Sequence, residues 1–301
     1  MQQDSSVALL SQNDMITPIR TWKLTKNKAE ELRFEDQSSL DAITRQLPEG
    51  WYSTFRTYED CTRVIGLSDH LKRLPHADAS SLCRHLIQFL DPYRPGEARV
   101  RVMETKQKQF YISIEPLYQF PRELYEKGAR VETTTLRREN PRVKSTAFIG
   151  ASIAERKHIA QAGMHEALLV KNRRILEGMT SNFFYTLYAE MSEERLLRRA
   201  QSKRAQRVEL FTALRGILPG VTRTMVIRAA QGRGLGVRYR SLNLDQLPAV
   251  SEAFITSSSR GIVPVIQIDE HIIGNGRVGE VTRMLMTAYE DYVNAHAEEI
   301  A

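Results

Sequence analysis

The residues most suited to chemistry are an acid and an amine in unusual sequence contexts. Glu177 lies in ILEGMTSNFF (175–184), between an apolar run and an aromatic one. An ionised carboxylate removed from water needs a cationic or proton-donating partner. Lys144 lies in NPRVKSTAF, after a break in the pattern and before a long predicted helix. The sequence must therefore contain, or bind, a partner for the Glu177 carboxylate.

Two further segments are suited to holding an anion. LPGVTR sets Gly220 and Val221 at a predicted helix start, with Thr222 as a hydroxyl N-cap. Free backbone N–H groups at such an end bind phosphate. ITSSSRG places three consecutive serines (257–259) after a predicted strand, and Arg73 in HLKRL adds a fixed positive charge. Together with the acid and the amine, these pieces suit a charged aromatic cofactor.

The elements that position these residues alternate between helix and strand. We predict a mixed α/β, α+β-like chain with an N-terminal extension (1–48), a small α/β domain (49–140) and a large domain (141–301). Hairpins are predicted at 51–67 and 98–117, strands at 129–136, 165–188 and 252–269, and helices at 68–77, 80–90, 145–163, 218–234 and 278–300. Ser68 is the predicted N-cap of the first of these helices.

The composition excludes several classes of protein. Of 301 residues, 42% are hydrophobic and 26% charged, as in soluble globular proteins. We find no apolar run of about 20 residues and no secretion signal, so we expect a cytoplasmic protein without a membrane partner. Cys61 and Cys83 are too few for a disulfide framework, and the histidines lack metal-ligand spacing. No metal site is predicted.

The net charge of +7 is concentrated in one segment. Residues 192–207 contain six basic and two acidic residues, a surplus of four positive charges. We predict a solvated helical insertion near 190–207 and expect no nucleic-acid partner, because other basic patches and aromatic RNA-binding motifs are missing from the sequence. A non-catalytic binding protein that uses this segment stays open as an alternative.

One glycine motif is a misleading signal. GNGRVG (274–279) fits the dinucleotide pattern GxGxxG after a strand and before a helix. That pattern also needs a second parallel strand with an acid about 20 residues further on, and the sequence to Ala301 leaves no room for it. We therefore interpret Gly274 and Gly276 as turn residues.

Five blocks in a fixed order resemble the fold-type IV pyridoxal-phosphate enzymes, or class IV aminotransferases. The blocks are HLKRL, PRVKS, GMHEALLV with ILEGMTSNFF, GILPGVTR, and ITSSSRGIVPVIQID with IGNGRVGEVTRML. The resemblance implies a two-domain fold with pyridoxal 5'-phosphate between the domains. It implies that Lys144 forms the Schiff base and that Glu177 faces the pyridine nitrogen. The phosphate-holding positions that it implies are Arg73, Val221, Thr222 and Ser258.

The chain also departs from this family. Branched-chain members have a tyrosine where this chain has Ile149 and a glutamate where it has Ser53, so the donor to the phenolic oxygen is expected elsewhere, with Tyr52 as the candidate. The substrate carboxylate is expected at the Ser258–Ser259 backbone, with Arg56 or Arg260 nearby.

The resemblance leaves the reaction open between two chemistries. We predict amino transfer between an amino acid and a 2-oxo acid. The alternative is elimination of pyruvate from aminodeoxychorismate, for which Lys144 and Glu177 would serve equally. A homodimer is expected in either case.

Overall fold

The computed structural model describes residues 17–25, 28–187 and 208–300. The predicted basic insertion, 192–207, lies outside these ranges. The strands are β1 Arg20–Leu24, β2 Ala29–Leu32, β3 Gly50–Tyr58, β4 Arg63–Val64, β5 Ala98–Thr105, β6 Phe110–Pro116, β7 Ala129–Thr134, β8 Glu166–Lys171, β9 Arg174–Gly178, β10 Asn182–Leu187, β11 Glu209–Thr212, β12 Gly236–Tyr239, β13 Leu242–Asn243, β14 Val250–Ser257, β15 Gly261–Ile268, β16 His271–Ile272 and β17 Glu298–Glu299.

The helices lie between these strands and cover their outer faces. They are α1 Leu40–Arg45, α2 Leu67–Leu71, α3 Ala79–Leu90, α4 Arg122–Lys127, α5 Ala147–Ala151, α6 Ile153–Gln161, α7 Val221–Gly232 and α8 Glu280–His296, with short 3-10 helices at Asp91–Tyr93 and Leu244–Ala249. The mixed α/β prediction is confirmed.

The first sheet is antiparallel and has the order β17-β4-β3-β5-β6-β1-β2. Val100 and Val102 alternate along β5 and pack, fully buried, in one core with Leu86 and Leu90 of α3. The apolar residues that alternate along β5 and those that recur at helical spacing along α3 therefore pack together on one face of the sheet. On the other face, Arg99 and Arg101 line a cavity, and Met103 packs with Ile149.

The second sheet closes on itself. Its order is β12-β11-β10-β14-β15-β7-β8-β9-β13, and β9 also pairs with β10, so six strands form a ring. Side chains such as Val131, Phe183 and Ile255 fill the interior. Helices α7 and α8 pack outside, where Val226 and Leu285 share a core with strand residues. The cavity described below lies between this ring and the first sheet.

Three predicted details differ from the structure. Residues 20–24 and 29–32, expected to belong to an irregular extension, form β1 and β2, and β1 pairs with β6, a partner too distant in sequence to be inferred from local pattern. The strand β7 belongs to the second sheet, so the change of sheet comes before the boundary placed at 140. The helix predicted at 145–163 divides into α5 and α6 at Ser152.

The start of α2 was also predicted wrongly. Gly66 precedes the helix with a positive φ of 64°, and Ser68 lies inside the helix instead of capping it. Glycine adopts this conformation readily, so it ends the hairpin and turns the chain into α2. The turn directs the following residues, including Arg73, toward the second sheet.

Candidate active site

The backbone of the first sheet fixes the position of Lys144. The Tyr52 N–H of β3 donates to the Lys144 carbonyl oxygen at 3.0 Å, and the Thr146 N–H donates to the Gly50 carbonyl at 3.0 Å. These two bonds flank Ser145 and pair it with Trp51 of β3. Lys144 therefore lies in a loop whose backbone is held against β3.

The amine of Lys144 lies 4.9 Å from the centre of the Tyr52 ring. Burial holds the pKa of Lys144 well below its usual value, and the positive charges of Arg73, Arg138 and Arg101 lower it further. A lowered pKa favours the neutral amine, which is the nucleophilic form. The structure thus prepares this lysine for attack on a carbonyl carbon.

Glu177 lies on β9 and is only 1% exposed. Its Oε1 accepts from Arg138 Nε at 3.0 Å, and its Oε2 accepts from Asn182 Nδ2 at 3.2 Å and from the Leu218 N–H at 2.9 Å. Burial raises the pKa of Glu177 to about 7, against the opposing effect of Arg138. The carboxyl group is thus fixed in orientation and able to hold or release a proton near neutral pH.

Arg138 is a site residue that the sequence analysis missed. Its Nη2 donates to the Met179 carbonyl at 2.6 Å, and its guanidinium carbon lies 3.8 Å from the centre of the Phe148 ring. Its buried Nη1 has no hydrogen-bond partner among the residues described. The segment RRENPR was interpreted only as a domain break, although a buried Glu177 already called for a cation.

The predicted phosphate-binding positions meet at the start of α7. The N-cap is Gly220, which has no side chain to bond, so the predicted role of Thr222 as N-cap is wrong. The Thr222 and Ser258 hydroxyl oxygens instead lie 3.2 Å apart. Arg73 Nη2 donates to the Pro219 carbonyl at 2.8 Å.

Two further features favour anion binding at the start of α7. The buried Thr256 Oγ1 has no hydrogen-bond partner within the described ranges. A Cβ at Gly220 would lie 2.0 Å from Asn182 Oδ1. Only glycine lets the start of α7 approach the strand that supports Glu177. The N–H groups of the first turn and the adjacent hydroxyl groups can therefore surround one phosphate.

These residues line one cavity of about 300 Å³. Of the site residues predicted from sequence, it contains Tyr52, Arg73, Lys144, Glu177, Val221, Thr222, Ser258, Ser259 and Arg260. The Lys144 amine and the Glu177 carboxyl group thus line the same cavity. A cofactor with a carbonyl carbon, a ring nitrogen and a phosphate fits this donor set, because each part has its own partner.

The same arrangement of elements occurs in known proteins. Residues 50–268 match the family model described as amino-transferase class IV. The chain is a class IV aminotransferase. It is 30% identical over 274 residues to a putative branched-chain-amino-acid aminotransferase of Methanocaldococcus jannaschii, a match covering 81% of this chain and 86% of that one. It is 23% identical over 272 residues to a D-alanine aminotransferase of Bacillus licheniformis, covering 82% and 89%.

A solved structure agrees with the fold. The PLP-bound form of a hypothetical aminotransferase from Mycobacterium tuberculosis superposes with a TM-score of 0.68 at 16% identity, over 92% of this chain and 99% of that one. The predictions of the family, of an enzyme and of amino transfer are confirmed, and the lyase alternative is not favoured. In the described part of this aminotransferase, no helix is long and apolar enough to cross a membrane.

The two arginines predicted near the substrate carboxylate lie in different surroundings. Arg56 lies outside the cavity of Lys144, and its Nε donates to the Thr57 carbonyl at 3.2 Å. Arg260 lines the cavity, but its nitrogens are engaged by neighbouring side chains. The predicted role of these two arginines at the substrate carboxylate therefore stays a prediction.

The glycine motif at 274–279 is also explained. Gly274 and Gly276 have φ values of 59° and 73°, as turn residues do. The start of α8 is filled by the Glu252 carboxylate, which accepts from the Val281 N–H at 3.1 Å and from the Thr282 N–H at 2.7 Å. A dinucleotide phosphate could not occupy the same position. Among the residues described, the structure contains no group of three potential metal ligands.

Proposed function

We propose that this class IV aminotransferase binds pyridoxal 5'-phosphate in the cavity shared by Lys144 and Glu177 and moves an amino group between an amino acid and a 2-oxo acid. The observation that carries the proposal is the placement of a low-pKa amine, a buried acid and an anion cradle around one space. When bound, the cofactor supplies an electron-withdrawing ring that stabilises negative charge at the substrate Cα.

Lys144 has two tasks in this proposal. Its neutral amine would hold the cofactor by condensing with the cofactor carbonyl with loss of water, and when free it would move a proton to and from the substrate Cα. Glu177 would hold the ring nitrogen by sharing a proton with it, which the raised pKa of Glu177 supports. Arg138, with its unpaired Nη1, is our candidate donor to the phenolic oxygen, a role for which Tyr52 was the sequence-based candidate.

The phosphate is assigned to the start of α7. The N–H groups of Val221 and Thr222, the hydroxyl groups of Thr222 and Ser258, and the guanidinium group of Arg73 surround the same end of the cavity. Burial lowers the pKa of Arg73 to about 10, so its side chain remains charged at neutral pH. A dianion there would meet both a fixed positive charge and oriented dipoles.

We propose that one of the two substrates is a diacid. Arg99, Arg101 and Arg156 line the outer part of the cavity, and Asp41 pairs with both Arg101 and Arg156, at 2.7 and 3.0 Å. The buried Nε of Arg99 has no partner in the part of the chain that is described. Arg99 also pairs with Glu115. Three guanidinium groups that face two carboxylates leave one net positive charge for a second carboxylate on the substrate.

A homodimer is a further part of the proposal. Tyr118 is 65% exposed, and it lines a surface cavity together with Phe120, which also lines the active cavity. An exposed aromatic beside a site is typical of an interface. Light scattering of the wild type and of Tyr118→Asp tests this: a dimer is expected for the first, with a weaker one for the variant. A monomeric wild type would contradict it.

The cofactor assignment is tested by trapping. Borohydride reduction of the protein with pyridoxal 5'-phosphate should add the mass of one cofactor to the wild type and none to Lys144→Ala. The control is Lys106→Ala, because the Lys106 amine is exposed and paired with Glu49 at 2.6 Å. Labelling of the Lys144→Ala protein to the wild-type extent would remove Lys144 from the proposed role.

The reaction is tested with a panel of substrates. The purified protein is incubated with L- and D-amino acids and either 2-oxoglutarate or pyruvate, and formation of the new amino acid is measured. We expect turnover with 2-oxoglutarate at a kcat/KM well above that with pyruvate, because only the diacid meets the outer arginines. Equal values would refute the diacid proposal but leave amino transfer intact.

A further inference from the structure

The side chain of Arg260 joins two loops of the active cavity. Its Nε donates to Ser257 Oγ at 3.0 Å, within the loop that carries the serines. Its Nη2 donates to Thr180 Oγ1 at 2.6 Å and to Glu166 Oε2 at 3.1 Å. Thr180 follows Glu177 by three residues, so this one guanidinium group ties the serine loop to the loop that follows the cofactor-facing acid.

Glu166 is buried and receives several donors. Its Oε2 also accepts from Thr180 Oγ1 at 2.5 Å and from Ser181 Oγ at 3.2 Å. Burial would raise the pKa of Glu166, but Arg260 and Thr180 outweigh burial and lower it. The carboxylate is therefore ionised at neutral pH and holds Arg260 in place as one half of a buried ion pair.

The third contact of Arg260 determines the state of His165. Arg260 Nη1 lies 3.1 Å from His165 Nε2. Arginine has no acceptor atom, so His165 Nε2 must accept and the ring proton must lie on Nδ1. Burial and the Arg260 charge lower the pKa of His165 to about 4, with Glu166 acting in the opposite direction. The ring is thus neutral across the physiological range, with one donor.

We propose that Arg260 is a positioning residue that holds His165 as a neutral hydrogen-bond donor in the wall of the active cavity, where His165 selects substrates carrying an acceptor oxygen. His165 lines the cavity beside Thr180 and Arg260. A neutral N–H group donates to a hydroxyl, carbonyl or carboxylate oxygen, but it forms no hydrogen bond with an apolar substrate group. The inference depends on the proposed function in one respect only, which is that the cavity binds a substrate.

The tautomer is tested first, on the cofactor-loaded protein and without substrate. Nitrogen-15 NMR of the histidine rings, with the His165 signal identified by its loss in His165→Asn, should show the proton on Nδ1 and no titration between about pH 5 and pH 8. Titration of His165 near its ordinary pKa, or a proton on Nε2, would overturn the proposal. This result is independent of whether amino transfer is detected.

Variants of Arg260 then test whether this residue sets the protonation state of His165. Arg260→Met should bring a titration of His165 into the range near 6.5, and the same ionisation should appear in the pH profile of KM. Both should be lost in the double variant with His165→Asn. Arg260→Lys keeps the positive charge, but one ammonium nitrogen cannot take the positions of three guanidinium nitrogens. This variant should therefore be more stable than Arg260→Met without restoring the His165 tautomer. The control, Arg233→Met, breaks an exposed pair with Asp291 and should leave His165 unchanged.

Variants of His165 test the role in selection. His165→Phe keeps a ring but removes the donor, and should raise KM for the diacid roughly three- to tenfold with a smaller change in kcat, as expected for one lost hydrogen bond. His165→Asn supplies an N–H donor and should recover part of the loss. An unchanged KM in His165→Phe would remove His165 from substrate selection, and a fall in kcat alone would do the same.

Discussion

The state of Glu177 leads to a measurable dependence of stability on pH. Burial raises the pKa of this carboxyl from 4.5 to about 7 in the folded protein. At roughly 1.36 kcal/mol per pKa unit, a difference of about 2.5 units corresponds to about 3 kcal/mol. Since the folded state binds the proton more tightly, the stabilising contribution is full below pH 4.5 and is lost as the pH rises through about 7.

Glu177→Gln removes this titration but keeps a side chain of similar shape. Urea unfolding of the cofactor-free protein at about pH 4.5 and about pH 8 should show the wild type losing up to about 3 kcal/mol relative to the variant over that range. If the two proteins have parallel pH dependences, burial does not hold the proton on Glu177, and our account of the ring-nitrogen partner fails.

Glu166→Gln is the matched control, because Glu166 is an equally buried carboxylate in the same ring of strands. Its pKa is lowered, so its contribution is present above the unfolded-state pKa of about 4.5 and is lost as the pH falls. The difference between the wild type and this variant should therefore stay nearly constant from about pH 5.5 to about pH 8 and fall below about pH 4.5, whereas that for Glu177→Gln shrinks as the pH rises. Two curves with the same sign would contradict the opposite pKa directions.

Three further variants test other parts of the site. Gly220→Ala should weaken cofactor binding and destabilise the protein by about 1–3 kcal/mol, since the new Cβ would lie 2.0 Å from Asn182 Oδ1; fluorescence titration and urea unfolding measure both. Its control, Gly232→Ala, meets no atom within 4 Å and should be neutral or slightly stabilising, so equal losses would rule out the steric cause. Arg138→Lys should lower cofactor affinity, because one ammonium group cannot serve Glu177, Met179 and the cavity together; unchanged affinity would remove its proposed role.

Much of the site could be predicted from sequence because its chemistry lies in short local motifs. The turn before α7 and the serine loop each carry their residues within a few positions, and local pattern is enough to place them beside strand and helix ends. Lys144 and Glu177 were paired by the resemblance to a family, and the structure confirms only that they face one cavity. The pairing itself is a long-range contact that no local pattern encodes.

The failures have a common physical origin in side-chain partners that are distant in sequence. Arg138 looked like part of a loop, but it bonds to Glu177 across 39 residues. Arg260 looked free for a substrate, but it bonds to Glu166 across 94 residues, and each of its three nitrogens contacts a neighbouring side chain. Type and spacing identify a charged residue, whereas the count of donors and acceptors around it decides whether that residue is available to a ligand.

The number of donors around each carboxylate distinguishes Glu166 from Glu177, the two buried acids of the ring of strands. Glu166 collects four donors: two hydroxyl groups, one guanidinium group and the Ala167 N–H. Glu177 has only three, of which one is a neutral amide and one a backbone N–H. The carboxylate with more donors, two of them hydroxyl groups, is ionised and structural. The less satisfied one keeps its proton near neutral pH, and it is the one that faces the space where a ring nitrogen can share that proton.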